Sequence, residues 1–213
     1  MRLSWTFSLI SLLSGCISLG GFQGPEVLPE GKTEVGVGMV AGDMLGDDGG
    51  GALGLMELYG HYGLAPRLEI GGRTTGFWAA GEGALGAIMI EGKYQLLTQR
   101  PLVAAGMGLS YFGLRAGEEQ FVTLGFYPAL WLGSPHFYTG MRVILIAAGS
   151  SIDDEVGTAS LAGFVLGGTV GNSVRLRPEL IVYIPLTGSD RHPLLLGGLG
   201  LSFRWGGDKS HGL

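Results

Sequence analysis

The sequence predicts an all-β fold, specifically an up-and-down antiparallel transmembrane β-barrel of about ten strands. Three observations lead to this prediction: short turns alternate with long loops, charged and apolar side chains alternate with the period of a strand, and the composition is unusual. Glycine supplies 42 of the 213 residues, 15% of the residues are charged, and the mean hydropathy is +0.36. Beyond the N-terminus, however, no run approaches the roughly 18 apolar residues of a membrane-spanning helix. Such a composition is poor material for helices and favours strands.

The turns divide the chain into hairpins. Four tight turns occupy residues 64–67 (LAPR), 98–101 (TQRP), 133–136 (GSPH) and 171–174 (GNSV). Longer acidic and glycine-rich loops stand between them, such as GDMLGDDGG from Gly42. Each segment that remains is long enough to cross a bilayer when tilted, which takes about 9–11 residues. These candidate strands are residues 32–42, 51–63, 67–78, 84–97, 101–114, 120–132, 136–148, 157–170, 174–186 and 193–205.

Charged side chains fall on one face of the candidate strands, because successive residues of a strand point to opposite sides. In VRLRPELIV, Arg175, Arg177 and Glu179 share a face, and Val174 and Leu180 lie opposite them. The same pattern in the other strands predicts a network of charges in the lumen of the barrel. Its members are Glu34, Glu57, Glu69, Arg73, Glu91, Lys93, Arg142, Arg175, Arg177 and Glu179.

Alternation alone fits two barrels that are inside-out versions of each other. A soluble barrel of the lipocalin type has apolar side chains inside, whereas a membrane barrel has them against lipid. The membrane barrel is favoured because few residues are charged, most acidic residues lie in the predicted loops, and strand charges of mixed sign can pair in a lumen. The strands predicted at 101–114, 120–132 and 157–170 alternate too weakly to be oriented.

The N-terminus has the order of a secretory signal. Arg2 supplies a positive charge, residues 3–13 are mostly apolar, and two small residues precede Cys16, the one cysteine of the chain. The stretch Leu-Ser-Gly-Cys resembles the bacterial lipobox, which implies that Cys16 is diacylated by the lipoprotein-processing machinery and begins the mature chain. Ile17 stands where an aspartate would signal retention in the inner membrane, so the resemblance points to the outer membrane.

The last strand carries a second resemblance. Residues 198–205 (GLGLSFRW) are similar to the assembly signal of outer-membrane barrels, with Gly200, Phe203 and Trp205 in the diagnostic places. Gly198 departs from the pattern, since a polar residue is usual there. Over residues 32–205 the chain resembles the small outer-membrane β-barrel proteins of Gram-negative bacteria. This resemblance implies the barrel assembly machinery and outer-membrane lipid as partners.

The predicted organisation has four parts. Residues 1–15 form a signal peptide, residues 16–31 a lipidated N-terminus and linker, residues 32–205 the barrel and residues 206–213 a tail. Short turns of such barrels face the periplasm and long loops face outward, so both termini are expected in the periplasm. The lipid on Cys16 would then lie in the inner leaflet of the outer membrane. The sequence indicates no oligomeric state.

Several function classes are disfavoured. The formal net charge of −5 gives no support for nucleic-acid binding, and neither a metal-ligand spacing nor a cofactor motif is present. Asp190 and His192 have a spacing that resembles half of the omptin protease site, but the second acidic pair is absent, so no enzymatic activity is expected. We predict a structural or surface-interaction role with acidic outer loops. The alternatives are a narrow channel for small polar solutes and a tethered, lipocalin-like binding barrel.

Overall fold

The computed structural model describes residues 18–44, 53–79, 82–116, 119–150, 156–188 and 192–206. The predicted signal peptide, the lipidation site at Cys16, most of the acidic loops and the tail after residue 206 lie outside these ranges. No helix in the described part of the chain is long and apolar enough to cross a membrane.

The strands form one closed antiparallel barrel in up-and-down order, and β11 pairs with β1 to close it. Two of the strand segments, β6 and β7, share one position in the wall, so the barrel has ten strands, as the sequence predicts. The bounds are β1 (Thr33–Met44), β2 (Leu53–Ala65), β3 (Leu68–Ala79), β4 (Glu82–Leu97), β5 (Leu102–Ala116), β6 (Glu119–Phe126), β7 (Ala129–Gly133), β8 (Phe137–Ser150), β9 (Gly157–Gly168), β10 (Val174–Pro185) and β11 (Leu194–Trp205).

Pro128 explains why the sixth strand is divided into β6 and β7. Its ring nitrogen carries no hydrogen, so it cannot donate to the ladder. The neighbouring groups nevertheless keep their partners: Tyr127 exchanges main-chain hydrogen bonds with Gly108, and the Pro128 carbonyl accepts from Val143. The wall is therefore continuous at this point.

The two faces of the wall differ sharply in polarity. On β10, Arg175, Arg177 and Glu179 are buried inside the barrel, while Val174 and Leu176 are exposed outside. The same arrangement recurs on the other strands, where large apolar side chains fill the outer face. This is the polarity of a membrane barrel and the inverse of a soluble one. The lipocalin-like alternative is incompatible with it.

The strands that the sequence could not orient carry uncharged residues on the described part of their inner face. On β5, Ala104 and Ser110 are buried inside the barrel, whereas Met107 is exposed outside. The space over this strand is taken by Trp131 of β7, whose ring would lie 2.9 Å from a Cβ atom added at Gly106. Because these strands have no charged side chains at the inward positions described, no alternation of charge marks their inner face in the sequence.

The residues before β1 depart from the prediction. Residues 18–28, hereafter the lumen segment, run inside the barrel, with Ser18, Leu19, Phe22 and Leu28 almost completely buried. The chain reaches the surface at Pro29 and then enters β1. Interpreting residues 16–31 as a linker was wrong for this segment. Its glycines and prolines are typical of a flexible linker, but here they allow the main chain to pass close to the inner wall.

Candidate functional site: the barrel lumen

The centre of the lumen holds a cluster of charges from β2, β3 and β4. The Arg73 guanidinium donates to Glu57 (Nη1–Oε2 2.9 Å) and to Glu91 (Nη2–Oε1 2.9 Å). The same Glu91 oxygen lies 2.7 Å from His61 Nε2 and accepts from Gln23 Nε2 at 2.8 Å. Charges removed from water are costly unless they are paired and hydrogen-bonded. One guanidinium shared between two carboxylates meets that requirement.

A second cluster lies nearer the short-turn end of the lumen. Glu34 on β1 accepts hydrogen bonds from the Arg177 guanidinium, from the Ser202 hydroxyl at 2.9 Å and from Arg204 Nε at 3.2 Å. These residues come from β1, β10 and β11, which are adjacent where the barrel closes. Because a carboxylate with several charged donors forms strong bonds, this cluster stabilises the closure of the barrel.

The lumen segment adds one acidic group of its own to this end. Glu26 Oε2 lies 2.8 Å from Arg175 Nη1 and 3.4 Å from Arg204 Nη2. Burial would raise the pKa of Glu26, but the Arg175 hydrogen bond and the charges of Arg204 and Arg175 outweigh it and lower the pKa below its ordinary value of 4.5. Glu26 is therefore ionised at neutral pH and ties the segment to β10 and β11.

Oppositely charged neighbours along a strand do not pair with each other. Lys93 pairs with Glu69 on the adjacent strand, with Nζ–Oε1 at 3.1 Å, rather than with Glu91 on its own strand. Residues two apart on one strand are about 7 Å apart, whereas directly opposite residues of adjacent strands are about 4.5–5.5 Å apart. The sequence pattern thus identifies lumen charges without identifying their partners. The structure places all ten predicted charges on the inner face, and Glu91 is the one that is not fully buried.

Barrel side chains hold the main chain of the lumen segment. The carboxylates of Glu57 and Glu179 accept from the N–H groups of Gly20 and Gly21, at 3.0 and 2.9 Å. Arg73 donates to the carbonyls of the same two glycines, at 2.9 and 3.2 Å. Four further carbonyls accept from the wall: Ser18 from Arg142 (3.2 Å), Leu19 from the Tyr183 hydroxyl (3.0 Å), Phe22 from Arg177 (2.9 Å) and Gly24 from Lys93 (3.3 Å).

Phe22 anchors the segment in a pocket lined by glycines. Its ring stacks on Tyr59, with 6.1 Å between ring centroids. A Cβ atom at Gly38 would collide with the ring, and one at Gly198 or Gly200 would lie 3.2 or 2.7 Å from it. Phe22 also has a φ of 44°, a left-handed conformation that costs a residue with a side chain roughly 1–2 kcal/mol. The pocket therefore has to stabilise the segment enough to offset this strain.

Toward the long-loop end the lumen becomes apolar. Leu19 of the lumen segment belongs to a buried apolar cluster with inward side chains from eight strands. Its wall members at this end are Val40, Leu55, Ile144, Ile146, Leu161, Ile181 and Leu196.

Little free space is left between these layers. The interior cavity lined by Gln23, Met89, Glu91, Trp131 and Arg142, among others, has a volume of about 10 Å³. A cavity needs about 10–15 Å³ to hold one water molecule. Among the described residues, no group of three or more His, Cys, Asp or Glu side chains is placed to hold a metal ion.

The outer face of the barrel exposes large apolar side chains. Ile88 and Ile90 on β4 are 63% and 64% exposed, and Met107 on the adjacent β5 is 62% exposed. A closed barrel with an apolar exterior and a charged interior is the architecture of transmembrane barrels. This is a small β-barrel of the outer-membrane type.

Solved structures similar to this barrel are outer-membrane β-barrel proteins. An outer membrane channel from Pseudomonas putida F1 is 11% identical, with 89% of this chain and 100% of that chain covered and a TM-score of 0.48. Neisserial surface protein A is 11% identical (84% and 100% covered, TM-score 0.37), and the attachment invasion locus protein of Yersinia pestis is 12% identical (83% and 99% covered, TM-score 0.35). No family model and no curated protein matches the chain.

The residues of the predicted assembly signal lie on two faces of β11. Phe203 and Trp205 are exposed on the outer face, whereas Gly200 faces the lumen beside Phe22. Gly198, which replaces the usual polar residue, also faces Phe22. A larger residue at this place would fill the pocket, which gives a physical reason for the departure from the pattern. The assembly role itself stays a prediction.

Sequence reasoning missed several lumen residues, among them Phe22, Glu26 and Arg204. The signal that points to Phe22 is the row of glycines on the inner faces of β1 and β11, because a strand face without side chains leaves space that another group must fill. Gly36 follows the same rule, since a Cβ atom there would collide with the Tyr59 ring. No comparable signal identifies Glu26.

Proposed function

We propose that this chain is a non-enzymatic, non-conducting barrel of the outer membrane, with a structural or surface-interaction role. The observation that supports it is the filled lumen. The lumen segment occupies the centre of the barrel, charge clusters surround it, and an apolar layer lies toward the long-loop end. An ion that crossed this interior would have to displace paired charges and enter an apolar layer.

A surface-interaction role would be carried by the long acidic loops. By analogy with other transmembrane barrels, the short turns face the periplasm and the acidic loops face outward. A protein that contacts other surfaces through these loops would need Asp47, Asp48, Asp153 and Asp154, whereas a protein that only supports the membrane would not. Changing these four residues to asparagine separates the two roles, because surface binding would be lost and membrane integrity kept.

The lipid anchor at Cys16 is part of this proposal, with one condition. Ser18 is buried deep in the lumen, where its hydroxyl contacts Glu57 and Arg73. Two residues span at most about 7 Å, which is too short for a lipid on Cys16 to reach the membrane around the wall. We propose that lipidated chains hold Ser18 outside the lumen and that chains in which Ser18 is docked are not anchored through Cys16.

A planar-bilayer measurement on the full-length protein tests the closed lumen. Insertion is verified by the heat-dependent gel mobility of a folded barrel, and a porin reconstituted in the same way is the positive control. We expect no unitary current steps. Reproducible steps from the folded protein would overturn the proposal in favour of a narrow channel for small polar solutes.

A further inference from the structure

We infer that the inner wall of this barrel is a peptide-binding site, that its ligand class is a peptide with a Gly-Gly-aromatic sequence, and that the lumen segment is its resident ligand. The inference concerns what the wall recognises and does not depend on whether the barrel conducts ions. It rests on the kind of contact that the wall makes, on the shape of the wall around three residues and on the way the segment is tethered.

The wall recognises main-chain amide groups rather than apolar side chains alone. At Gly20 and at Gly21 a carboxylate accepts from the N–H group while Arg73 donates to the carbonyl. An amide offers a donor and an acceptor in this fixed order along an extended chain. An inorganic anion has no N–H group and would be repelled by Glu57 and Glu179. The paired acid and base therefore point to a peptide.

The mode of binding differs from the addition of a strand to a sheet. Within residues 18–28, Leu28 N–H also donates to a wall side chain, Glu69 Oε2, at 2.8 Å. Among the described residues, main-chain bonds between this end of the chain and the wall begin at Gly31, which donates to Gly63. In strand addition, main-chain ladders give affinity. Here charged side chains perform that task, so the site can bind a peptide without opening the wall.

The shape of the site selects the order of three successive residues in the bound peptide. A Cβ atom at Gly20 would lie 2.4 Å from the Phe22 ring and 2.8 Å from Glu57 Oε2, and one at Gly21 would lie 3.1 Å from Glu179 Oε1. A larger residue at Gly20 would therefore collide with the aromatic ring that follows it and with a wall carboxylate, and one at Gly21 would crowd the carboxylate that binds its N–H group. The next residue enters the glycine-lined pocket, which fits a planar aromatic ring stacked on Tyr59. The order Gly-Gly-aromatic follows from these three constraints.

The tether explains why the resident ligand dominates. Pro29 and Glu30 are exposed and join the segment to β1 over a few residues. A short connection of this kind raises the effective concentration of a ligand to about millimolar. A second peptide can therefore be detected only when the resident segment is weakened or cut.

The experiment uses the full-length chain with two substitutions in its own segment, Gly21→Val and Phe22→Ala, and a fluorescent synthetic peptide of residues 18–28 (SLGGFQGPEVL). We expect the peptide to bind the folded double variant, measured by fluorescence anisotropy, and not the wild type, whose site is occupied. A peptide with the same two substitutions should bind at least about tenfold more weakly. A Gly60→Ala chain is the matched control, because a Cβ atom there lies 3.6 Å from its nearest neighbour.

Two results would overturn the inference: no binding to the folded double variant, or equal binding of a scrambled peptide. A second arm covers a double variant that does not fold. A protease recognition sequence inserted between Glu30 and Gly31 is cut after the wild-type barrel has folded, and excess labelled peptide is added. Exchange of the cut segment for the labelled peptide supports the inference. A segment that never exchanges is a fixed part of the core and rejects it.

Discussion

Glu57 and Arg73 face each other across β2 and β3 with 2.9 Å between Oε2 and Nη1, and neither side chain is exposed. Both side chains also bind the main chain of Gly20: the Glu57 carboxylate accepts from the Gly20 N–H group, and the Arg73 guanidinium donates to the Gly20 carbonyl. The pair therefore has two tasks: it joins two strands of the wall, and it holds the lumen segment in place. The stability of the barrel and the docking of the segment should depend on the same charges.

Replacement of Arg73 tests this dependence. Arg73→Met keeps much of the side-chain volume but leaves Glu57 and Glu91 without their guanidinium, and we expect a loss of about 3–5 kcal/mol in the free energy of unfolding. Urea unfolding in detergent micelles measures it. Arg67→Met, in an exposed short turn, is the control and should change stability by less than about 0.5 kcal/mol. Equal stability of the two variants would show that the cluster contributes nothing.

The glycine-lined pocket predicts that a glycine-to-valine substitution, which strand propensity favours, is unfavourable at Gly38. Valine normally improves a strand relative to glycine. At Gly38, however, a Cβ atom collides with the Phe22 ring. We therefore expect Gly38→Val to expel the segment and to expose Phe22 to chymotrypsin, while Gly60→Ala, which has free space, leaves cleavage unchanged. Rates of proteolysis of the folded barrels measure both, and a protected Gly38→Val variant would contradict the pocket.

The sequence was sufficient to predict the strands and their inner faces, but it did not predict how residues pair across strands or what occupies the lumen. Strand alternation is a local property with a fixed period, so charges such as Arg175, Arg177 and Glu179 could be assigned to one face. The division of the sixth strand at Pro128 was not predicted, because the main-chain partners at this point, Gly108 for Tyr127 and Val143 for Pro128, belong to other strands. Partner choice depends on the register between strands, which the period of one strand does not contain.

The lumen segment was misjudged for a different reason. Its glycines and its proline resemble those of a flexible linker, and composition alone cannot distinguish a chain in water from one that packs against charged walls. Phe22 is the residue that makes the difference, since its ring is completely buried. Inward glycines on β1 and β11, such as Gly38 and Gly200, were the available signal. The structure shows the space beside them filled by the Phe22 ring.

The docked segment should be sensitive to acid through Glu26. Its pKa is lowered below 4.5 in the folded protein, so the stability that it contributes is present above the unfolded pKa and is lost as the pH falls through the folded value. We expect segment docking, followed by proteolysis, to weaken below about pH 4.5 more steeply in the wild type than in Glu26→Gln. Glu30→Gln, a change in an exposed carboxylate nearby, should leave the wild-type profile intact. Identical profiles for wild type and Glu26→Gln would contradict the ion pairs with Arg175 and Arg204.

Lipidation of Cys16 and docking of the segment should exclude each other. In a chain with Ser18→Cys, the new thiol lies where Ser18 is 2% exposed, so a membrane-impermeant maleimide should not label a docked segment. Attachment of the diacylglyceryl group converts the Cys16 thiol into an unreactive thioether and, by the reach of two residues, holds position 18 outside the lumen. We therefore expect labelling of position 18 in chains that mass spectrometry shows to be lipidated, and protection in the Cys16→Ser background. A lipidated chain with a fully protected position 18 would show that anchor and docked segment coexist, and the reach argument would then be wrong.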